Sequence, residues 1–135
     1  MSDHLYAFLV SLGSMVVIDA TWLGLIAPKF YKKHIGFIMS DKPKWVSAAA
    51  FYLIFILGMT IFVVYPGWKN VDGLTHVGLL GGVFGLVTYA TYDLTNQATL
   101  KNWPKIVTIV DLLWGTTLAA GVSVVAVLFL KTLVK

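Results

Sequence analysis

The chain alternates between four long apolar stretches and short polar connections. The apolar stretches cover residues 5–27, 45–65, 77–97 and 106–130. Each has about the 20 residues that an α-helix needs to cross the hydrocarbon core of a bilayer. Because short connections join antiparallel neighbours, the pattern predicts an all-α integral membrane protein. We expect a single domain of four transmembrane helices in an antiparallel up-and-down bundle.

The composition fits a protein embedded in lipid. Apolar residues make up 59% of the chain and charged residues 12%, whereas soluble domains have about 45–50% and about 25%. The net charge of +4 comes from ten lysines and six aspartates. Lysines in connections suit anionic lipid head groups, and nothing arranges them as a nucleic-acid footprint. We therefore expect the lipid bilayer as a partner and no nucleic acid.

The lysine distribution predicts how the bundle is oriented. The first and third connections lie on one face and hold most of the lysines: Lys29, Lys32, Lys33, Lys42, Lys44, Lys101 and Lys105. Since cytoplasmic loops carry an excess of positive charge, both termini are predicted on the non-cytoplasmic side. Lys131 and Lys135 near the tail argue against this orientation.

Three aspartates interrupt the apolar stretches, and no lysine accompanies them: Asp19, Asp93 and Asp111. A charged residue near the middle of a spanning helix costs roughly 2.5–3.5 kcal/mol on insertion scales. At about 1.5 Å per residue, all three lie within roughly 6–13 Å of the lysine-rich face. We expect the three carboxyl groups to meet in one polar pocket.

Helical spacing adds further candidates to this pocket. Residues three or four apart share a helix face, which joins Tyr89, Asn96 and Gln97 to Asp93. The motif Asp-x-x-Trp occurs twice and joins Trp22 to Asp19 and Trp114 to Asp111. Indole, phenol and amide groups can donate hydrogen bonds to charged carboxylates, so these side chains complete the predicted site.

The predicted cluster suits more than one chemistry. It can relay protons, enclose an organic cation between aromatic faces, or act as an acid/base pair on a lipid-derived substrate. The chain has no cysteine and no histidine within the cluster. We therefore predict neither a metal site nor a cofactor, and we assign no residue a catalytic role.

A glycine stripe opens the third apolar stretch. Gly78, Gly82 and Gly85 are spaced so that another helix can approach closely. The partner is either another helix of the same bundle or a second copy of the chain, so a homodimer through these glycines remains one alternative.

The stretch Tyr89-Ala-Thr-Tyr-Asp-Leu-Thr-Asn-Gln, with the two Asp-x-x-Trp motifs, resembles a bacterial membrane-protein family catalogued as domain of unknown function 2177. The resemblance covers essentially the full chain. It implies a four-helix protein of the bacterial inner membrane and implies no particular activity.

Our leading functional hypothesis is a protein that binds or carries a lipophilic or cationic small molecule, with coupled protonation of an aspartate. One alternative is an intramembrane enzyme that acts on a lipid or isoprenoid by aspartate acid/base catalysis. The other is a non-catalytic membrane subunit whose aspartates only lock helices together.

Overall fold

The computed structural model describes residues 1–70 and 73–134, and these residues form helices and connections without a strand. Four helical segments are long and apolar enough to span a membrane: Asp3–Leu25, Trp45–Lys69, Leu74–Thr99 and Lys105–Leu133. The predicted fold class, an all-α protein with four membrane-spanning helices, is confirmed. Val71 and Asp72 in the second connection and Lys135 at the tail lie outside the described residues.

The first span, α1, runs Asp3–Leu25 and ends earlier than predicted. Ser2 caps its start by accepting a hydrogen bond from the backbone of Leu5. Pro28 lacks the backbone N–H that would continue the hydrogen-bond ladder of α1, so α1 ends before it. Pro28 instead lies in the first turn of the next helix, where a missing N–H is tolerated. A second helix that we did not predict, α2, follows at Ala27–Ile35, and a short 3₁₀ turn covers Gly36–Ile38.

The second span is longer than predicted and contains a widened turn. It consists of α3 (Trp45–Met59), a π-helical turn (Thr60–Val64) and α4 (Tyr65–Lys69). The predicted span ended at residue 65, just before Pro66, but the structure has a π-helical turn immediately ahead of this proline. Its longer hydrogen-bond step accommodates the missing proline N–H, so the helix continues to Lys69.

The third and fourth spans, α5 (Leu74–Thr99) and α6 (Lys105–Leu133), form the tightest pair in the bundle. Asn102 adopts the left-handed conformation with φ of 63°, which asparagine tolerates better than most residues. This turn reverses the chain. The indole of Trp103 then donates to the Thr108 hydroxyl at 3.1 Å and fixes the start of α6.

Helix α6 is the centre of the bundle, since it contacts α1, α5 and the second span. Its buried positions recur along one wide face: Val107, Thr108, Asp111, Gly115, Leu118, Ala119, Val122, Ser123, Ala126, Val127 and Leu130. The buried face of α1 repeats every four residues and consists of Ala7, Ser11, Met15 and Asp19. Each of these two faces therefore has a buried aspartate near the lysine-rich end, Asp19 on α1 and Asp111 on α6.

The glycines of α5 pack against α6 within the chain. A side chain at Gly85 would overlap the backbone carbonyl of Gly115, and a Cβ at Gly81 would lie 2.7 Å from the Ala119 carbonyl oxygen. Gly78 faces Val124, and Gly82 faces Thr116 and Ala120, at ordinary or tight contact distance. The helix face that the homodimer alternative needs is thus covered by α6, which favours packing inside one bundle.

Candidate functional site

The three aspartates within the long apolar helices are all buried near the lysine-rich end. Asp93 is 0% exposed, and Asp19 and Asp111 are each 6% exposed. They come from α5, α1 and α6, so three of the four spans contribute a carboxyl group. Their surroundings differ, however, and they divide into a pair and a single residue.

Asp93 and Asp111 form the pair. Their carboxyl groups face each other across the α5–α6 contact, within reach of a hydrogen bond if one of them carries a proton. Neither oxygen of Asp93 receives a hydrogen bond from any other described residue. The buried hydroxyls of Ser11, Thr60 and Ser123 also lack a partner, but they are neutral and cost much less to bury than a carboxylate. The Asp93–Asp111 pair therefore needs a proton or a cation to be stable.

Asp111 receives a donor from outside the spans. The hydroxyl of Tyr31, on α2, donates a hydrogen bond to Asp111 Oδ1. Burial raises the pKa of Tyr31 above its ordinary value, and the hydrogen bond to Asp111 and the charge of that carboxylate raise it further. Tyr31 therefore remains a neutral donor, and α2 is tied to the pair from the lysine-rich side.

Asp19 has a different partner. The hydroxyl of Tyr52, on α3, donates a hydrogen bond to Asp19 Oδ2. No described group of three or more His, Asp or Glu side chains is close enough together to hold one metal ion. The expectation that the three carboxyl groups meet in one polar pocket stays a prediction, since Asp93 and Asp111 adjoin each other and Asp19 is bonded to Tyr52.

The two Asp-x-x-Trp motifs meet through their tryptophans. The indoles of Trp22 and Trp114 stack with ring centroids 4.6 Å apart and planes 10° apart. The Tyr31 ring meets Trp22 edge to face, with centroids 6.4 Å apart. We expected both indoles to donate to the carboxylates, but Nε1 of Trp114 is buried and has no acceptor among the described residues.

Tyr89 lies near both the pair and the single aspartate. Its hydroxyl is within electrostatic range of Asp19, Asp93 and Asp111. Its ring covers the α6 backbone at Gly115, where any side chain would overlap it. Gly115 is thus required by the close approach of Tyr89, and Tyr89 connects the two parts of the site.

A cavity of about 310 Å³ adjoins the pair. Its lining consists of Phe51 from α3, Thr88, Tyr89 and Tyr92 from α5, and Asp111 from α6. Ligand pockets have volumes of about 300–1,000 Å³ and are mostly apolar with a few polar groups. The cavity fits this description, with one carboxyl group among aromatic walls.

Asn96 and Gln97 take a smaller part than predicted. Both are half-buried, and the side chain of Asn96 reaches the hydroxyl of Tyr92. No hydrogen bond joins either amide to an aspartate within residues 1–70 and 73–134. Asn96 therefore supports a wall of the cavity, and Gln97 lies one helical turn beyond Asp93.

Residues 4–128 match a family model described as "Predicted membrane protein (DUF2177)". The match covers nearly the whole chain. The chain belongs to the DUF2177 family. Neither the curated proteins nor the solved structures include a match. Membership in DUF2177 agrees with the spans and does not assign a chemistry, so the function must be argued from the site.

Two site residues were missed from the sequence. The predicted pocket included no residue of the second span, yet its Tyr52 donates a hydrogen bond to Asp19. Tyr31, which donates to Asp111, lies in the first connection, where we predicted no helix. A signal existed for Tyr52: it comes seven residues after Trp45, or about 10 Å from the lysine-rich face. That is the depth predicted for the aspartates.

Proposed function

We propose that this DUF2177 protein binds a lipophilic or cationic small molecule in the cavity beside Asp111 and exchanges a proton at the Asp93–Asp111 pair. One observation carries the proposal. Asp93 is a fully buried carboxyl that receives no hydrogen bond from a donor among the described residues, and it adjoins a carboxyl that lines a cavity. A carboxyl that only joins helices would have a donor, as Asp19 has in Tyr52.

The charge of the pair explains the proton exchange. Two adjacent buried carboxyl groups do not both ionise, and they share a proton. When a cation binds, it replaces that proton, which leaves for water. The pair then holds two carboxylates and one cation, so its net charge stays the same. No ion pair from the described residues reaches either carboxyl, and Lys69 and Asp3 pair with each other at the opposite end.

The cavity walls suit an organic cation. Phe51, Tyr89 and Tyr92 present aromatic rings, and a cation over an aromatic face gains about 0.5–2 kcal/mol, more when water is excluded. Asp111 supplies the opposite charge. A small inorganic ion would need several oxygen ligands, and Asp111 is the only carboxyl among the lining residues.

The proton count on binding tests this proposal. Tetraphenylphosphonium is titrated into the purified protein by calorimetry in two buffers of different ionisation enthalpy. We expect release of about one proton per bound cation, because the pair shares one. Asp93→Asn should still bind but release none, and Asp41→Asn, an exposed acid at the same end, should behave like the wild type. Binding without proton release in the wild type would contradict the proposal.

A second candidate is an intramembrane enzyme acting on a lipid or isoprenoid. The same observation favours it, since a carboxyl pair with one proton can supply both a general acid and a general base. Turnover of isoprenoid lipids in vesicles containing the protein, lost in Asp93→Asn, would support the enzyme over the carrier. A non-catalytic subunit would show neither turnover nor proton release.

We also propose that the protein lies in the bacterial inner membrane with both termini on the non-cytoplasmic side. The lysine-rich connections support this orientation. The chain has no cysteine, so single cysteines at Ser2 and Ser40 report each face. A membrane-impermeant maleimide should label Ser2→Cys in intact spheroplasts and Ser40→Cys only after lysis; the reverse pattern would invert the orientation.

A further inference from the structure

The cavity beside Asp111 is lined by side chains of two spans, α3 and α5. Helices α3 and α5 touch through Phe55 and Phe84, whose ring centroids are 5.3 Å apart. The cavity begins nearer the lysine-rich end, with Phe51 on one side and Tyr92 on the other. Its mouth is therefore a gap between two membrane spans.

This gap faces the interior of the bilayer. Phe51 is 46% exposed and Tyr92 is 59% exposed. They lie six and seven residues from the ends of their helices, or about 9–10 Å from the lysine-rich face. Half of the hydrocarbon core is about 15 Å thick. The exposed rings therefore border acyl chains rather than water.

The water side of the cavity is covered by α2. Tyr31 donates to Asp111 from that side, and Tyr31 packs against Trp22. The lysines of α2, Lys29, Lys32 and Lys33, are exposed, while Phe30 and Tyr31 are half-buried. This division is typical of a helix lying in the membrane interface, so α2 separates Asp111 from the aqueous phase.

We propose that the ligand is a single-chain amphiphile with a protonated amine head, which reaches Asp111 sideways from the leaflet on the lysine-rich side. Its head lies in the cavity against the Asp93–Asp111 pair. Its chain passes between Phe51 and Tyr92 and stays among the lipid acyl chains. This inference rests on the proposed function and adds the ligand class and the route.

Two photoreactive alkylamines of equal length test the inference in phosphatidylcholine vesicles. One carries a diazirine beside the amine and the other carries it at the chain end. We expect the first probe to label cavity residues such as Phe51, Thr88 and Tyr92, and the second to label phospholipid. The control is an alkanol of the same length that carries its diazirine in the same place as the first probe. It lacks the charge and should not label the cavity.

The outcomes separate the inference from the proposed function. If the chain-end probe labels the cavity, the chain is enclosed and the lateral arrangement is wrong. If the amine-end probe fails to label the cavity while tetraphenylphosphonium still releases a proton, the amphiphile is wrong and the proton exchange stands. If tetraphenylphosphonium releases no proton, the proposed function itself fails.

Discussion

The two halves of the α5–α6 pair are built for different purposes. In the half nearer the chain termini, Gly81 and Gly85 let the helices approach until backbone touches backbone. In the lysine-rich half, the same helices bring Asp93 and Asp111 face to face. The first half is stabilised by close packing, whereas the second holds the carboxyl group of Asp93, which has no donor within residues 1–70 and 73–134.

The difference separates the tightly packed part of this small membrane bundle from the part that holds the proposed site. Helices in lipid gain little from burying apolar groups and associate chiefly by close packing. The glycine contacts supply such packing, with Ala119, Val122 and Ala126 completely buried on α6. This tightly packed half can hold the bundle together. The other half keeps the cavity and the carboxyl group of Asp93, which receives no hydrogen bond from a described donor.

The largest effect should come from filling the tight half. A valine at Gly85 would overlap Gly115 and Ala119, so α5 and α6 must move apart. Overpacking typically lowers the free energy of unfolding by about 1–3 kcal/mol. We expect about 3 kcal/mol here because backbone atoms are involved. Thermal unfolding in detergent, followed by circular dichroism, measures the loss.

Gly121→Val is the matched control for this prediction. Gly121 lies on the same helix pair, and a Cβ there has open space within 4 Å. Its melting temperature should stay close to that of the wild type. Equal losses in both variants would mean that glycine serves helix flexibility and not the α5–α6 contact.

A smaller loss should follow when the satisfied aspartate loses its donor. Tyr52→Phe removes the hydroxyl that bonds to Asp19, and leaving a buried acceptor unpaired costs about 1–3 kcal/mol. We expect about 2 kcal/mol less stability toward unfolding. Tyr6→Phe, whose hydroxyl bonds to no other described residue, is the control. An unchanged melting temperature in Tyr52→Phe would remove the distinction between Asp19 and Asp93.

The fold was largely predictable because hydropathy and helix length leave few alternatives for such a chain. The exceptions have local causes. The nine residues of α2 are too few to stand out in a window suited to a spanning helix. Pro66 was interpreted as the end of the second span, but the π-helical turn before it keeps the helix intact.

The site was only partly predictable, for a physical reason. Asp19, Asp93 and Asp111 are conspicuous because charge in an apolar stretch is costly. The donors to Asp111 and Asp19 are Tyr31 and Tyr52, which come from other helices. Which donor meets which aspartate depends on how each helix is rotated about its axis. Spacing along one helix gives depth and face but does not give that rotation.

Replacing Asp93 should change stability less than removing the Tyr52 hydroxyl. In Asp93→Asn, the new amide can donate to Asp111 in place of the shared proton, so the contact keeps a hydrogen bond. We expect unchanged stability or a gain of up to about 1 kcal/mol. Thermal unfolding at neutral pH, with Asp19→Asn measured in parallel, checks the prediction. A loss larger than that of Tyr52→Phe would show that Asp93 has a structural donor after all.

The smallest effect concerns the tie between α2 and the lysine-rich half. Because burial raises the pKa of Tyr31 in the folded protein, its stabilising contribution is complete below about pH 10, the ordinary tyrosine value. It is lost as the pH rises above that value toward the raised pKa.

The difference in phenolate absorbance between wild type and Tyr31→Phe isolates this group. The absorbance difference should appear only well above pH 10 in the folded protein, and at about pH 10 after denaturation. If the folded and denatured difference curves coincide, Tyr31 is not held against Asp111, and α2 does not cover the pair from the water side.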